Sequence, residues 1–151
     1  MGIFNKDTFM DTPVAKPNAT VKVNIPPGVY EVIVTEVDVM NGEKGGRDWA
    51  MLKLKMDVQD DSLKLHLKRD RLVVHYDFFI DLTELGTVDE DETKNIALGR
   101  ARKACGLNDR TDFTPRMFVG QRCLASIVNK TIKDSPDNDM RDEVIGVAAI
   151  A

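Results

Sequence analysis

Trp49, Met51, Lys53 and Lys55 recur at every second position of one short stretch. A β-strand turns alternate side chains to one face, so this spacing lines up an aromatic ring, a thioether and two ammonium groups. Such a row stacks flat bases on the ring and meets phosphates with the amines, each stacked base being worth about 1–3 kcal/mol. The plainer reading of the same residues is an indole covering the rim of the fold, with solvated lysines beside it. Further cations extend the candidate surface: Lys44 and Arg47 in the glycine-rich stretch 41–47, and Lys68, Arg69 and Arg71 in the basic stretch 64–75. Phe79 falls on the opposite strand face from Tyr76 and Phe78, which makes it the second candidate for an exposed ring.

Other chemistries find little support. His66 and His75 are separated on β-rich sequence, with no Cys or His partner at metal-ligand spacing. No nucleophile elbow, zinc-protease motif or paired-acid motif is present. Asp77 and Asp81 flank a strand end, where loop acids ordinarily face water. Lys44 is followed by Gly45 and then a strand, whereas a phosphate-binding P-loop needs Ser or Thr after the lysine and a helix beyond. No catalytic residue, metal or cofactor is therefore expected. Cys105 and Cys123 lack Cys-x-x-Cys spacing and are expected to be reduced residues of the core.

The chain of 151 residues has a net charge of −4, a mild argument against a polyanionic ligand, because phosphate binding is largely electrostatic. The charges are segregated, however. Residues 64–75 and 99–110 are basic, while 57–61, 81–92 and 134–143 are acidic. That leaves room for a basic groove on an acidic body; solvated faces and helix-end charges account for the same pattern. Arg100, Arg102 and Lys103, for example, complement the negative end of a helix dipole.

These residues need elements to hold them. Residues 1–20 show no sustained period and read as an arm whose Phe4 and Phe9 dock on the body or on a neighbouring subunit; residues 21–151 form the domain. Residues 21–25 alternate and suggest an edge strand, ended by the turn signal Pro26-Pro27-Gly28. Strands are expected at 29–39, 49–58, 72–80, 121–129 and 143–149, with a hairpin loop at 41–47 and a helix at 95–105 capped by Gly106. In the first strand Val29, Ile33, Val37 and Val39 share one face and Tyr30, Val32 and Val34 the other. In the second, Ala50, Leu52, Leu54, Met56 and Val58 point to the core. Residues 60–67 fit either a hairpin extension or a helical turn, and Thr114-Pro115 opens a second turn. Three strands, one principal helix and two more strands give the element order of an OB-like five-stranded Greek-key barrel, mainly β, with the helix between strands 3 and 4.

Pro26-Pro27-Gly28-Val29-Tyr30-Glu31-Val32 resembles the P-x-G-x-Y strand entry of small bacteriophage proteins encoded among replication genes. Phe79-Ile80-Asp81-Leu82-Thr83, Asn95-Ile96-Ala97-Leu98-Gly99-Arg100, Asp112-Phe113-Thr114-Pro115 and Val119-Gly120-Gln121-Arg122 are similar to later segments of that pattern, as is the opening Met-Gly-Ile-Phe-Asn-Lys-Asp-Thr-Phe. The resemblance implies an OB-fold protein that coats single-stranded DNA during phage replication or recombination. Many such proteins end in an acidic tail, whereas this sequence ends in the apolar stretch 144–151. The expected partners are single-stranded DNA, replication proteins and further copies of the chain, with no membrane. The N-terminus lacks a signal-peptide core and Lys6 stands where a myristoylation motif needs Ser or Thr, so the expected location is the cytoplasm, that of the host if the chain is phage-encoded. The rival expectation is a phage structural or host-protein interaction module that uses the same sheet without nucleic acid.

Overall fold

A computed structural model describes residues 2–151. Its elements are helix α1 (Lys6–Asp11), strands β1 (Gly28–Lys44) and β2 (Arg47–Val58), helix α2 (Asp61–Leu67), strand β3 (Val73–Ile80), helix α3 (Ile96–Ala104), a 3-10 turn (Pro115–Phe118), and strands β4 (Arg122–Thr131) and β5 (Met140–Ala148). The five strands form one antiparallel sheet in the order β3-β2-β1-β4-β5. The sheet is hydrogen-bonded as an open one. Its outer strands β3 and β5 nevertheless bring Cα atoms within 8 Å of each other, and α3 lies against both.

Strand β1 is the middle of the sheet and divides its work. Its first half pairs with β4, from Gly28 opposite Ile127 to Ile33 opposite Arg122. Its second half pairs with β2, ending at Lys44 opposite Arg47. Between the halves the register shifts by one residue, with Val34 opposite Met56 but Glu36 opposite Lys55. Thr35 is the extra residue of this β-bulge, and its hydroxyl donates to the Lys55 carbonyl. A bulge reverses the facing of everything beyond it. Val37 therefore joins Val32 and Val34 on the core side and packs on the buried cluster. This corrects the expectation that Val37 faces away from them.

Three further expectations change. The wide hairpin loop at 41–47 is a two-residue turn: β1 runs on through Asn41 and Gly42, and only Gly45 and Gly46 leave the ladder, at φ +60° and +78°, as a type I′ turn requires. Residues 60–67 resolve as helix α2, because the Asp60 carboxylate accepts the Leu63 N–H and starts a helical turn. Residues 21–25 form no strand. Pro26 and Pro27 have no N–H for a ladder, and side chains do the fastening instead. The Asp142 carboxylate accepts the Ile25 N–H and the side-chain amides of Asn24 and Asn129, while Asn129 also donates to the Ile25 carbonyl. Ile25, only 1% exposed, is thereby pressed into the core.

The core lies between the inner sheet face, α3 and the 3-10 turn, and its largest fully buried side chain is Phe118. Phe113 meets it edge-on at 5.3 Å, and the Arg102 guanidinium sits 4.3 Å from the Phe113 ring centre. Arg102 also donates to the carbonyls of Leu107 and Arg110, so it ties down the chain after α3 as well as complementing the helix dipole. Small residues let α3 approach closely, with Leu98, Ala101 and Ala104 buried. Asn95 fixes its start through reciprocal bonds to Asp81: each backbone N–H donates to the other's side chain. Cys123 is buried and Cys105 half-buried; a hydrogen bond between the thiols lowers the pKa of Cys105 and, with burial, raises that of Cys123. Residues 2–23 are exposed; the Phe4 and Phe9 rings meet each other at a tilt of 50°, centroids 5.1 Å apart, and α1 buries nothing. Among the described residues no helix is long and apolar enough to cross a membrane. Replacing Phe118 with alanine is expected to cost about 3–5 kcal/mol, read as a lower urea midpoint; a cost below about 1 kcal/mol would show that the 3-10 turn does not anchor the core.

Candidate nucleic-acid interface

The outward residues of β1, β2 and β3 form a surface whose neighbours follow from the ladder. Trp49 lies opposite Gly42; Met51 is flanked by Met40 and Phe79; Lys53 by Asp38 and Asp77; Lys55 by Glu36 and His75. The Trp49 and Phe79 rings approach edge to face, with centroids 6.1 Å apart at 71°. With Met40, Met51, Lys44, Arg47 and Asp48 they line an open cleft of about 440 Å³. Phe79 is 63% exposed and Met40 45%, so this sheet face carries a small accessible apolar spot beside the half-buried indole. Gly42 is what seats the indole. A Cβ at that position would stand 2.8 Å from the Trp49 ring, so only glycine lets the indole lie across β1.

The cations divide into three groups. Lys44 and Arg47 close the hairpin beside the aromatic pair, both exposed and, among the described residues, without an ion pair. Lys53 pairs with Asp77 at 3.6 Å and Lys55 with Glu36 at 3.7 Å. Exposed pairs of this kind contribute at most about 1 kcal/mol to stability. Their larger effect is on the field: Glu36, Asp38 and Asp77 outnumber the two ammonium groups among which they stand. The acidic stretch that follows β3 bounds the platform too, with Gly86 lying against Asp48.

Lys68, Arg69 and Arg71 are elsewhere. They follow α2, beyond the Val58 end of β2, whereas Arg47 begins that strand; at 3.3 Å per residue the strand is about 36 Å long. Lys68 ends α2 in the left-handed conformation, at φ 56°. Arg69 donates to the Val23 carbonyl and so holds the N-terminal segment. The structure thus brings together Lys44, Arg47, Trp49 and Phe79, keeps Lys53 and Lys55 beside them in neutralised form, and sets the third cluster at the opposite end of the sheet. Met40 and Gly42 are the members that sequence reading missed. Folding the chain back at Gly45-Gly46 alone, rather than around a seven-residue loop, pairs both with the platform.

Asp81 is engaged by Asn95, and among the described residues no group of three or more His, Cys, Asp or Glu side chains is arranged to hold a metal ion. No protein-family model matches the chain, and no curated protein matches it significantly. Substituting Gly42 with alanine is expected to displace the indole into water and shift Trp49 emission to longer wavelength in a folded protein; an unchanged spectrum would show that the ring does not rest on Gly42.

Proposed function

We propose that this chain acts by binding rather than catalysis, as a single-stranded DNA-binding module on an OB-like barrel. The strand order, the approach of β3 to β5 and the helix between strands 3 and 4 support the barrel. In that architecture the face of strands 2 and 3, with the loop joining strands 1 and 2, binds oligonucleotides. The observation that carries the reading is the half-buried Trp49 ring set edge-on to the exposed Phe79 ring, beside Lys44 and Arg47, which have no ion pair among the described residues. Bases stack on the two rings and rest on the Met40 and Met51 thioethers, while Lys44 and Arg47 meet the flanking phosphates. Every base has a π-face, so little sequence preference follows. The carboxylates beside Lys53 and Lys55 turn the backbone away from the middle of β2 and toward the hairpin tip. With the motif resemblance to phage proteins, this supports a role in coating single strands during phage replication or recombination.

One observation favours a second reading. The carboxylate row and the acidic rim leave an apolar patch in a weak local field, which also suits a protein partner in a phage structural or host-interaction module. Titrating labelled oligo-dT by fluorescence anisotropy separates the two. Binding is expected to weaken with salt, and Trp49→Ala or Phe79→Ala to lose about 1–3 kcal/mol of affinity, some 5- to 150-fold. Replacing Lys44 and Arg47 together is expected to lower the salt slope by about 1.4, at 0.7 per phosphate contact. Salt-insensitive or absent binding by the folded protein would discard the DNA reading in favour of the protein partner.

A further inference from the structure

Beyond Ile33 the β1 strand has a ladder on one side only. Pairing with β4 ends there, supplemented by bonds between Val34 and residues Gly120 and Gln121, while pairing with β2 continues for ten further residues to Lys44. The direction of the backbone groups follows from the turn. In a two-residue hairpin the flanking pair, here Lys44 and Arg47, exchanges both hydrogen bonds. The N–H and C=O groups of Met40, Gly42 and Lys44 therefore point to β2, and those of Val37, Val39, Asn41 and Glu43 point away from it. The Val39 N–H confirms the direction, because it is taken up by the Asp38 carboxylate at 2.8 Å. Among the described residues no backbone partner meets the other outward groups of this half-strand. Residues 38–41 are exposed, Val39 and Met40 included. An edge of this length that is unpaired and partly apolar is a template for another strand.

We infer that this edge is a homodimer interface, in which the outer halves of two β1 strands pair antiparallel about a two-fold axis through Met40. Self-complementarity selects this register. An axis at residue 40 sets Val37 opposite the partner's Glu43 and Val39 opposite the partner's Asn41, so all four outward-pointing residues of each chain find hydrogen-bonding mates. The same register brings Glu36, which pairs with Lys55 in the lone chain, against the partner's Lys44, twice by symmetry, an opposite-charge pair at each end of the interface that leaves Arg47 as the free cation of the hairpin tip in the dimer. Two-fold contacts are built of just such reciprocal pairs. Asp38 covers the Val39 N–H in the lone chain, and pairing exchanges that bond for one to the partner's Asn41 carbonyl. On the outer face Met40 meets the partner's Met40, and the two apolar patches merge across the axis. With strands 4.8 Å apart and 3.3 Å per residue, the two Trp49 backbone positions lie about 20 Å from each other on one surface, and the indoles, each lying across its own β1, are closer still. The dimer itself does not need the DNA reading; only the use of the merged surface as one longer binding path rests on it.

The test is mass in solution without DNA, by light scattering after size exclusion over a range of concentrations. The wild-type chain is expected at twice the monomer mass. Asn41→Pro removes an outward N–H and leaves the β2 ladder intact, as proline is tolerated on a free edge; it is expected at monomer mass with an unchanged thermal unfolding profile. Glu36→Lys is expected to weaken the dimer at least tenfold, and Lys44→Glu in the same chain to restore it. A wild-type monomer at every concentration overturns the inference, as does a dimer that survives Asn41→Pro. Failure of Lys44→Glu to rescue Glu36→Lys overturns the register. Because no oligonucleotide is present, none of these outcomes bears on whether the Trp49 platform binds DNA.

Discussion

The bend of β1 at Thr35 is the constraint on which the rest of the molecule depends. A straight strand of this length would offer one face to one pair of neighbours throughout. By inserting one residue opposite Met56, β1 keeps its apolar side chains on the core while handing its first half to β4 and its second to β2. The outer strands β3 and β5 come within 8 Å at their Cα atoms, and α3 lies against both. The long β1–β2 hairpin that results projects past the β4 pairing, and its outer face displays Trp49, Met51 and Met40 beside Phe79 of β3.

Electrostatics on that face are local rather than global. The acidic total of the chain says little, since the carboxylates nearest the platform decide what a phosphate experiences. Asp38 and Asp77 flank Lys53 across both neighbouring strands, so this lysine offers hardly more than a neutral site. Among the described residues, the cations that stand beside the rings without an ion pair are Lys44 and Arg47 at the hairpin tip. The strong basic cluster of the sequence, at residues 68–71, serves the fold at least in part, because Arg69 fastens the N-terminal segment.

Much of this was legible in the chain. Strands β2 and β3 bury one face only, so their two-residue period is unambiguous, and it exposed Trp49 and Phe79 as outward rings. Strand β1 could not be read the same way. Being apolar on both faces, it gives no phase, and the bulge that sets the facing of Val37 is decided by partners distant in sequence. The alternation of Leu63, Leu65 and Leu67 suits a strand and a short helix equally, and the deciding group was the Asp60 cap one turn earlier. Residues 21–25 look like a strand because they alternate, yet the prolines after them deny the ladder. The separation of the two basic clusters was illegible for a geometric reason: a strand of a dozen residues carries its two ends to opposite sides of a small domain.

The Asp142 fastening makes the N-terminal segment unlike the rest of the core boundary. Most of the core wall is strand or helix whose backbone bonds open cooperatively, but Ile25 is held by one carboxylate and two amides. Loss of a few side-chain bonds would lift that residue without breaking a ladder, and regions held in this way open at lower free energy than the global transition. Ile25 is in effect a hinged stopper, set where the arm leaves the body.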